Sequence, residues 1–338
     1  MSDLSNLPNL KKVVLKERPS DNPKVEGFDI VQEVSRAPDD GEVLIEMQAL
    51  EIGAWIRTTL NEEAFHGSTP IGGTIPALGI GKVLISKSDK FKEGDIVNGP
   101  IFAQTHTTMP AEMFTKVENP EIDPFTQIAV LGVTTGLTAY FGIYEVGQVK
   151  KDDVVLVSGA AGGVGALVCQ LAKIKGAKVI GVAGGKEKCN VLVNEIGADA
   201  AIDYKKDDLD EKIKLHANEG IDIFFDNVGG KILDAALDNI KDRARVVICG
   251  AISQYSHHDS VKGPSLYLRL AEKYSRMEGF TVMHFEDRYE EASRELLSLY
   301  EKGKLKIPYH IENGIENFPL ALQKLFTGGN TGKLMIKA

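Results

Sequence analysis

The stretch Val154-Val155-Leu156-Val157-Ser158-Gly159-Ala160-Ala161-Gly162-Gly163-Val164-Gly165 decides the fold. A short β-branched run leads into glycines and then into an amphipathic segment, Gly163–Lys175. The next apolar run, Lys178–Val182, begins about twenty residues on. A strand that turns so sharply into a helix exposes its backbone at the turn. Missing side chains at Gly162 and Gly163 let a pyrophosphate approach, and Gly165 lets helix and strand pack closely. The helix N-terminus, with Val164 in its first turn, adds unpaired N–H groups and the positive end of the helix dipole. A glycine turn alone is common and can be purely structural. Strand before, helix after and strand again give this one the context of a dinucleotide-binding unit.

The end of the following strand discriminates between dinucleotides. It reads Val179-Ile180-Gly181-Val182-Ala183-Gly184-Gly185-Lys186-Glu187-Lys188. An NAD site usually carries Asp or Glu at the strand end, accepting hydrogen bonds from the ribose. Here no acid stands there, two glycines make room, and two lysines follow within a turn. Lys186 or Lys188 can pair with a 2′-phosphate that a carboxylate would repel. NADP(H) is therefore expected; the alternative is that both lysines are solvated helix-start charges. Glu187 lies too late to serve the ribose.

Outward from this loop, strand and helix patterns alternate from about residue 126. Thr126–Val146 is helical, Glu187–Ile196 and Lys231–Ile240 are helices, and Ala200–Ile202, Ile221–Asp226 and Arg245–Cys249 are short apolar runs. Such alternation implies a parallel sheet covered on both faces. The first ~125 residues differ: short extended runs broken by Gly and Pro (Lys12–Leu15, Gly41–Ala49, Gly79–Ile85, Gly94–Asn98) suggest a β-rich, barrel-like fold. After a helix at Arg288–Lys302, β texture returns at Leu305–Glu312, with a helix at Asn317–Phe326 and a last strand at Gly332–Lys337. The expected arrangement is an α/β chain in which residues 127–304 form a doubly wound Rossmann domain inserted into a β-rich domain of residues 1–126 plus 305–338.

Composition sets outer limits. With 43% hydrophobic and 26% charged residues over 338 positions, the chain is ordinary globular material, long enough for two cores. A net charge of −9 disfavours nucleic acid or an anionic membrane as partner. Three cysteines, Cys169, Cys189 and Cys249, without Cys-x-x-Cys spacing, give neither a disulfide scaffold nor a zinc knuckle. Met1–Lys12 lacks an apolar core like that of a signal peptide, and no run of 18 apolar residues occurs, so a cytoplasmic location without membrane insertion is expected.

The chain resembles the medium-chain dehydrogenase/reductase superfamily, and within it the zinc-free branch of prostaglandin, 2-alkenal and curcumin-type double-bond reductases. The resemblance lies in the glycine loop and in Gly136-Leu137-Thr138-Ala139-Tyr140-Phe141-Gly142, Gly197-Ala198-Asp199, and Ile202-Asp203-Tyr204-Lys205. It continues through Phe225-Asp226-Asn227-Val228-Gly229-Gly230, Cys249-Gly250-Ala251-Ile252-Ser253-Gln254-Tyr255, Arg276-Met277-Glu278-Gly279-Phe280 and Gly329-Asn330-Thr331-Gly332-Lys333. It implies a GroES-like β-rich catalytic domain around the Rossmann unit. Gly162–Gly165 would hold the pyrophosphate, and Lys188 and Tyr204 the adenosine 2′-phosphate end. Asn227 and the stretch Cys249, Gly250, Ala251, Ile252, Ser253, Gln254 and Tyr255 would line the nicotinamide ribose and ring. Phe280, Thr281 and Val282 would offer backbone contacts to the nicotinamide, and Asn330 would reach the cofactor from the tail. Homodimerisation is also implied, with Val261–Tyr274, read as a partly apolar helix, as a candidate contact.

The resemblance weakens in the first ~125 residues. The branch's Asp-Pro-Tyr-Met-Arg string corresponds to Gly53-Ala54-Trp55-Ile56-Arg57, which keeps the Arg; Trp55 and Arg57 would border the substrate entrance, or lie on the surface. Its Gly-Trp-Gln-Glu-Tyr segment corresponds to Pro100-Ile101-Phe102-Ala103-Gln104-Thr105. The zinc enzymes of the superfamily supply a catalytic Cys and a Gly-His-Glu string, which this chain lacks, so no metal is expected.

Without a metal to polarise a carbonyl, reduction of a C=C bond conjugated to a carbonyl is the expected chemistry, on a small enone or enal. Charge then develops on the carbonyl oxygen, and the protein must supply hydrogen-bond donors. Tyr255, beyond a strand's carboxyl end, is the candidate catalytic donor; otherwise its ring packs on the cofactor. Tyr140 reads as core, Cys249 as inert packing, and His257 and His258 as solvated loop residues. A quinone reductase and a non-catalytic NADPH-binding protein are the alternatives.

Overall fold

The computed structural model describes residues 7–63, 66–256 and 260–338. Two compact units emerge: Met1–Ile128 with His310–Asn330 and Leu334–Ala338, and Ala129–Tyr309 with Thr331–Lys333.

The first unit begins with an antiparallel pair, β1 (Asn9–Leu15) and β2 (Phe28–Val34). Next come β3 (Glu42–Ile52), α1 (Trp55–Thr59), β4 (Leu78–Ser86), β5 (Ile96–Pro100), β6 (His106–Pro110) and β7 (Thr115–Lys116). β3 is the centre of the sheet and does not keep the simple alternation of its sequence. Its pairing with β4 slips between Leu44 and Ile45 and again between Met47 and Ala49. The first slip leaves the extra residue, Leu84, on β4, so Val43, Ile45 and Met47 keep one face; the second leaves the extra residue, Gln48, on β3 and reverses the faces after it. That is why Val43, Ile45 and Met47 share one core with Leu50 and Ile52, while Ala49 joins a second cluster with Ile80 and Met335.

A helical stretch from Pro124 to Val146 follows, containing α2 (Pro124–Thr126) and α3 (Thr138–Phe141). Asp123 starts it, its side chain accepting from the N–H groups of Phe125 and Thr126. It contains the helix expected over Thr126–Val146, and at 23 residues with a mean hydropathy of 1.3 it is long and apolar enough to cross a membrane, which the sequence reading had not expected of any segment. It is, however, 78% buried and broken at Gly132, whose ψ of 140° is extended. Those are the properties of a core helix.

The second unit continues with β8 (Val154–Ser158), α4 (Gly163–Ile174), β9 (Lys178–Ala183), α5 (Lys186–Val191), β10 (Ala200–Asp203), α6 (Leu209–His216), β11 (Ile221–Asp226), α7 (Gly230–Asp238), β12 (Ile240–Ile248), α8 (Leu268–Glu272), β13 (Arg276–Gly279) and α9 (Tyr289–Glu301). Its strands form a six-stranded sheet in the order β10-β9-β8-β11-β12-β13, parallel throughout. Separate apolar clusters cover the two faces, one around Leu167, Leu171 and Phe225, the other around Ile180, Phe224 and Leu237. The winding reverses between β8 and β11, and ligands of open α/β sheets bind outside the carboxyl ends at such a point. The expected helix over Val261–Tyr274 is a correction: only Leu268–Glu272 is α-helical.

The tail supplies β14 (Tyr309–Asn313), α10 (Phe318–Thr327) and β15 (Lys333–Lys337). β15 pairs antiparallel with β3, Leu334 opposite Ile52, within a sheet ordered β14-β15-β3-β4-β5-β7, with β6 also on β3.

Candidate functional site

The loop between β8 and α4 is shaped by what it cannot hold. A Cβ on Gly165 would stand 2.3 Å from the Gly159 carbonyl oxygen, and one on Gly163 3.1 Å from Thr135 Cγ2. Gly159 itself has a φ of 58°, open mainly to glycine. No side chain caps α4 at its N-terminus; the Gly162 N–H is turned back onto the Gly159 carbonyl at 3.0 Å, which leaves the first-turn N–H groups of Gly163, Val164 and Gly165 for an anion. The tail crosses this loop: Gly332 N–H donates to the Ala161 carbonyl at 2.7 Å, and Lys333 Nζ lies 3.2 Å from Thr134 Oγ1.

At the end of β9 a second gap opens. A Cβ on Gly184 would meet the Tyr204 ring and hydroxyl at 2.9 Å and Lys205 Cε at 3.0 Å. Asp203 Oδ1 holds the neighbourhood together, accepting from Gly185 N–H at 2.7 Å and Lys205 N–H at 3.2 Å. Lys188 is half-buried, and its ammonium is pulled below the ordinary lysine pKa by burial first and by Lys205 second, with Glu187 opposing. Lys186 is exposed. The structure thus separates the two lysines and adds Lys205, which the sequence reading passed over. Its signal was its place directly after Tyr204.

A third group forms around Asp226 at the end of β11. This carboxylate is 1% exposed. Its Oδ1 accepts from Ser158 Oγ at 2.7 Å and from the N–H groups of Val228 and Gly229 at 3.0 and 2.9 Å. Burial raises its pKa and these bonds pull it back. Asn227 is fixed twice over, its N–H on Ser158 Oγ and its Nδ2 on the Ser158 carbonyl. The stretch after β12 wraps the same corner. Cys249 and Gly250 donate to the Asp226 carbonyl, Ile252 to Asn227, and Ser253 to Val228, while Gln254 N–H donates to Ala251. Tyr255 closes the loop, its hydroxyl accepting from Ala251 N–H at 3.2 Å. A Cβ on Gly250 would stand 2.8 Å from that oxygen. Burial raises the Tyr255 pKa, and it pushes the Cys249 thiol up to about 12, leaving it unreactive near neutral pH.

Phe280, Thr281 and Val282 follow β13, and Phe280 N–H reaches the Ile248 carbonyl at 3.5 Å. The Phe280 ring packs where Gly142 has no side chain, 2.6 Å from the position a Cβ would take. Phe285, at a kink in the helical turn, stacks parallel on Phe141 at 4.7 Å. Three polar corners therefore lie at the carboxyl ends of one sheet: a glycine turn at a helix N-terminus, a cationic gap and a tyrosine-closed loop. Tyr140 is core, its hydroxyl donating to Glu295 at 2.7 Å.

The remaining expected residues lie in the first unit. Asn330 is 7% exposed. Trp55 is half-buried, with Nε1 on Glu51 at 3.3 Å and its ring 5.8 Å from that of His66. Arg57, expected to border an entrance or lie on the surface, is instead 1% exposed. Its guanidinium donates to the carbonyls of Asp21 and Pro19 and to Asn61 Oδ1. His257 and His258 fall outside the described residues. Among the described residues, no three His, Cys, Asp or Glu side chains converge as metal ligands.

Two family profiles match the chain, one described as zinc-binding dehydrogenase over residues 163–298 and one as N-terminal domain of oxidoreductase over residues 11–117. The chain is 34% identical to the NADP(+)-dependent 2-alkenal reductase of Nicotiana tabacum, over 96% of each protein. It is 31% identical to the NADPH-dependent curcumin reductase of Escherichia coli (strain K12), over 97% of this chain and 96% of the relative. Among solved structures, CurA of Vibrio vulnificus in complex with NADPH superposes with a TM-score of 0.91 at 31% identity, covering 97% of this chain and 99% of the other.

Proposed function

The chain belongs to the medium-chain dehydrogenase/reductase superfamily, in its zinc-free double-bond reductase branch, and we propose that it uses NADPH to reduce the C=C bond of an α,β-unsaturated aldehyde or ketone. One observation carries the reading. The Tyr255 hydroxyl accepts from Ala251 N–H, which fixes the oxygen and leaves its own proton to donate.

Bound here, the cofactor supplies hydride to the β-carbon of the substrate. The Gly162–Gly165 turn holds its pyrophosphate through the N–H groups of Gly163, Val164 and Gly165, with Gly162 leaving room for it, and Lys188 and Tyr204 hold its adenosine phosphate. Asn227 and residues Cys249–Tyr255 line the nicotinamide ribose, Phe280–Val282 meet the nicotinamide through main chain, and Asn330 contributes from the tail. Reduction places negative charge on the substrate's carbonyl oxygen as an enolate, and a proton must then reach the α-carbon. Tyr255, kept protonated by burial, donates a hydrogen bond to that oxygen. A neutral donor held ready in a partly dry site stabilises charge as it develops, with no reorganisation needed.

We also propose a homodimer, joined through β13. This edge strand is exposed at all four residues, with Tyr267, Leu268, Tyr274, Met277 and Met283 exposed around it. An open edge beside apolar side chains favours pairing with a second copy. A monomeric mass by light scattering at micromolar concentration would reject it.

An NADPH-oxidation screen over alkenals, enones, quinones and saturated aldehydes tests the activity. Turnover of enones and alkenals is expected. Preference for ortho-quinones would replace this reading with quinone reduction, and binding of NADPH without turnover of any class would make the protein non-catalytic.

A further inference from the structure

We propose that Lys205 is the second cation of a clamp, shared with Lys188 and Tyr204, that selects a dinucleotide phosphorylated on its adenosine ribose. The inference rests on the reading that the adenosine phosphate lies at the end of β9. It goes beyond that reading by assigning a specificity-determining role to a residue of the neighbouring strand's turn.

Construction of the corner brings the lysines together. Tyr204 N–H donates to the Ala183 carbonyl at 3.1 Å, so the turn after β10 is tied to the end of β9. Asp203 Oδ1 repeats the tie by accepting from both Gly185 and Lys205 N–H groups. Because Gly184 lacks a side chain, the Lys205 stem and the Tyr204 ring come to rest over the gap. Lys188 approaches from the start of α5, near enough for Lys205 to depress its pKa.

Acids do not settle the charge. Among the described residues, no ion pair joins Lys186, Lys188, Lys205 or Lys206 to a carboxylate. Of the three nearby acids, Asp203 is buried and turned to main-chain N–H groups, and Asp207 Oδ2 accepts from Asp203 N–H. Glu187 is exposed and favours the Lys188 charge only in part. Two ammonium groups held close without an acid between them repel, and a dianion placed between them reverses the sign of that interaction. A 2′-phosphate carries about −1.5 to −2 charge at pH 7, enough to match both. Tyr204 adds a neutral hydroxyl beside the same gap. NADH brings no such charge and leaves the repulsion in place.

The test is equilibrium titration of the intact protein, followed by fluorescence, with NADPH, NADH, 2′,5′-ADP and 5′-AMP. The variants are Lys205→Met, Lys205→Arg and Lys188→Met, with Lys206→Met as an exposed control. Lys205→Met should raise Kd about tenfold for NADPH and 2′,5′-ADP, the scale of one charge-assisted bond, and leave NADH and 5′-AMP within twofold. Lys205→Arg should recover most of the loss, and Lys206→Met should change nothing. An unchanged NADPH Kd in Lys205→Met, or equal weakening of all four ligands, overturns the proposal. Loss of phosphate discrimination in Lys188→Met alone leaves the phosphate placement standing and removes Lys205. If neither lysine affects discrimination, the placement itself is wrong.

Discussion

Replacing Tyr255 by Phe isolates one hydroxyl. The ring stays, so the packing of the loop after β12 should survive. Two interactions disappear. The first is the bond from Ala251 N–H, long at 3.2 Å and therefore worth only about 0.5 kcal/mol; thermal stability should hardly move. The second is the proposed donor to the enolate oxygen, and loss of one such donor typically costs about 1.4 to 4 kcal/mol of transition-state stabilisation, or ten- to a thousandfold in rate. Burial raises the phenol's pKa, so its proton is present at all pH values below that raised value and is lost only above it. The ratio of wild-type to variant rates should accordingly stay flat from about pH 6 to 9, since the ordinary tyrosine value is about 10. Stopped-flow hydride transfer with a reactive enone, run beside NADPH titration, reads both effects. A hydride-transfer rate within threefold of wild type would remove Tyr255 from the mechanism. A large rise in NADPH Kd would instead assign the hydroxyl to holding the nicotinamide ribose.

Lys188→Ala should weaken NADPH at least tenfold and leave NADH nearly unchanged; equal losses for both would refute the assignment. Because the Lys188 pKa is depressed, its charge is present at low pH and lost as pH rises through a value below that of ordinary lysine. The preference for NADPH over NADH should therefore narrow in titrations on the alkaline side before about pH 10.4. Gly165→Ala places a Cβ 2.3 Å from the Gly159 carbonyl, so cofactor affinity should fall more than tenfold; a soluble variant with wild-type NADPH affinity would contradict the loop geometry. Prolonged dialysis against a strong chelator should leave turnover unchanged, whereas loss of activity restored by zinc would show a metal requirement.

The nucleotide-binding half was legible because its chemistry constrains main chain. A pyrophosphate requires glycines at set positions, and a sheet buried on both faces requires apolar runs such as Ile221–Asp226, found at the positions read from the sequence. Elements that bury little left weak traces. In α6 only Ile213 is buried, too little for a helical period to show. β13 lies exposed at the sheet edge and has no apolar run. The long helix expected over Val261–Tyr274 ran through Lys262-Gly263-Pro264, and a proline disfavours helical geometry in the residue before it. Lys205 adjoins Tyr204 in the chain, but its approach to Gly184 is shown only by the fold, which brings the turns after β9 and β10 together.

Arg57 shows where resemblance and structure part. It is the one residue of its five-residue string that matches the related reductases, and proximity to a substrate entrance was an attractive explanation. Yet its guanidinium sits at 1% exposure, with donors committed to the carbonyls of Pro19 and Asp21 and to Asn61. Burial lowers its pKa, but a guanidinium starts so high that it remains charged. Removing it would take the donor away from the part-buried carbonyls of Pro19 and Asp21 and from the Asn61 side chain. Trp55, two residues earlier on the same short helix, carries no comparable set of bonds: one contact to Glu51 and an aromatic neighbour in His66. Replacing Trp55 therefore unpairs less than replacing Arg57, whereas in the Pro100–Thr105 segment Ile101 and Ala103 are themselves fully buried in the core.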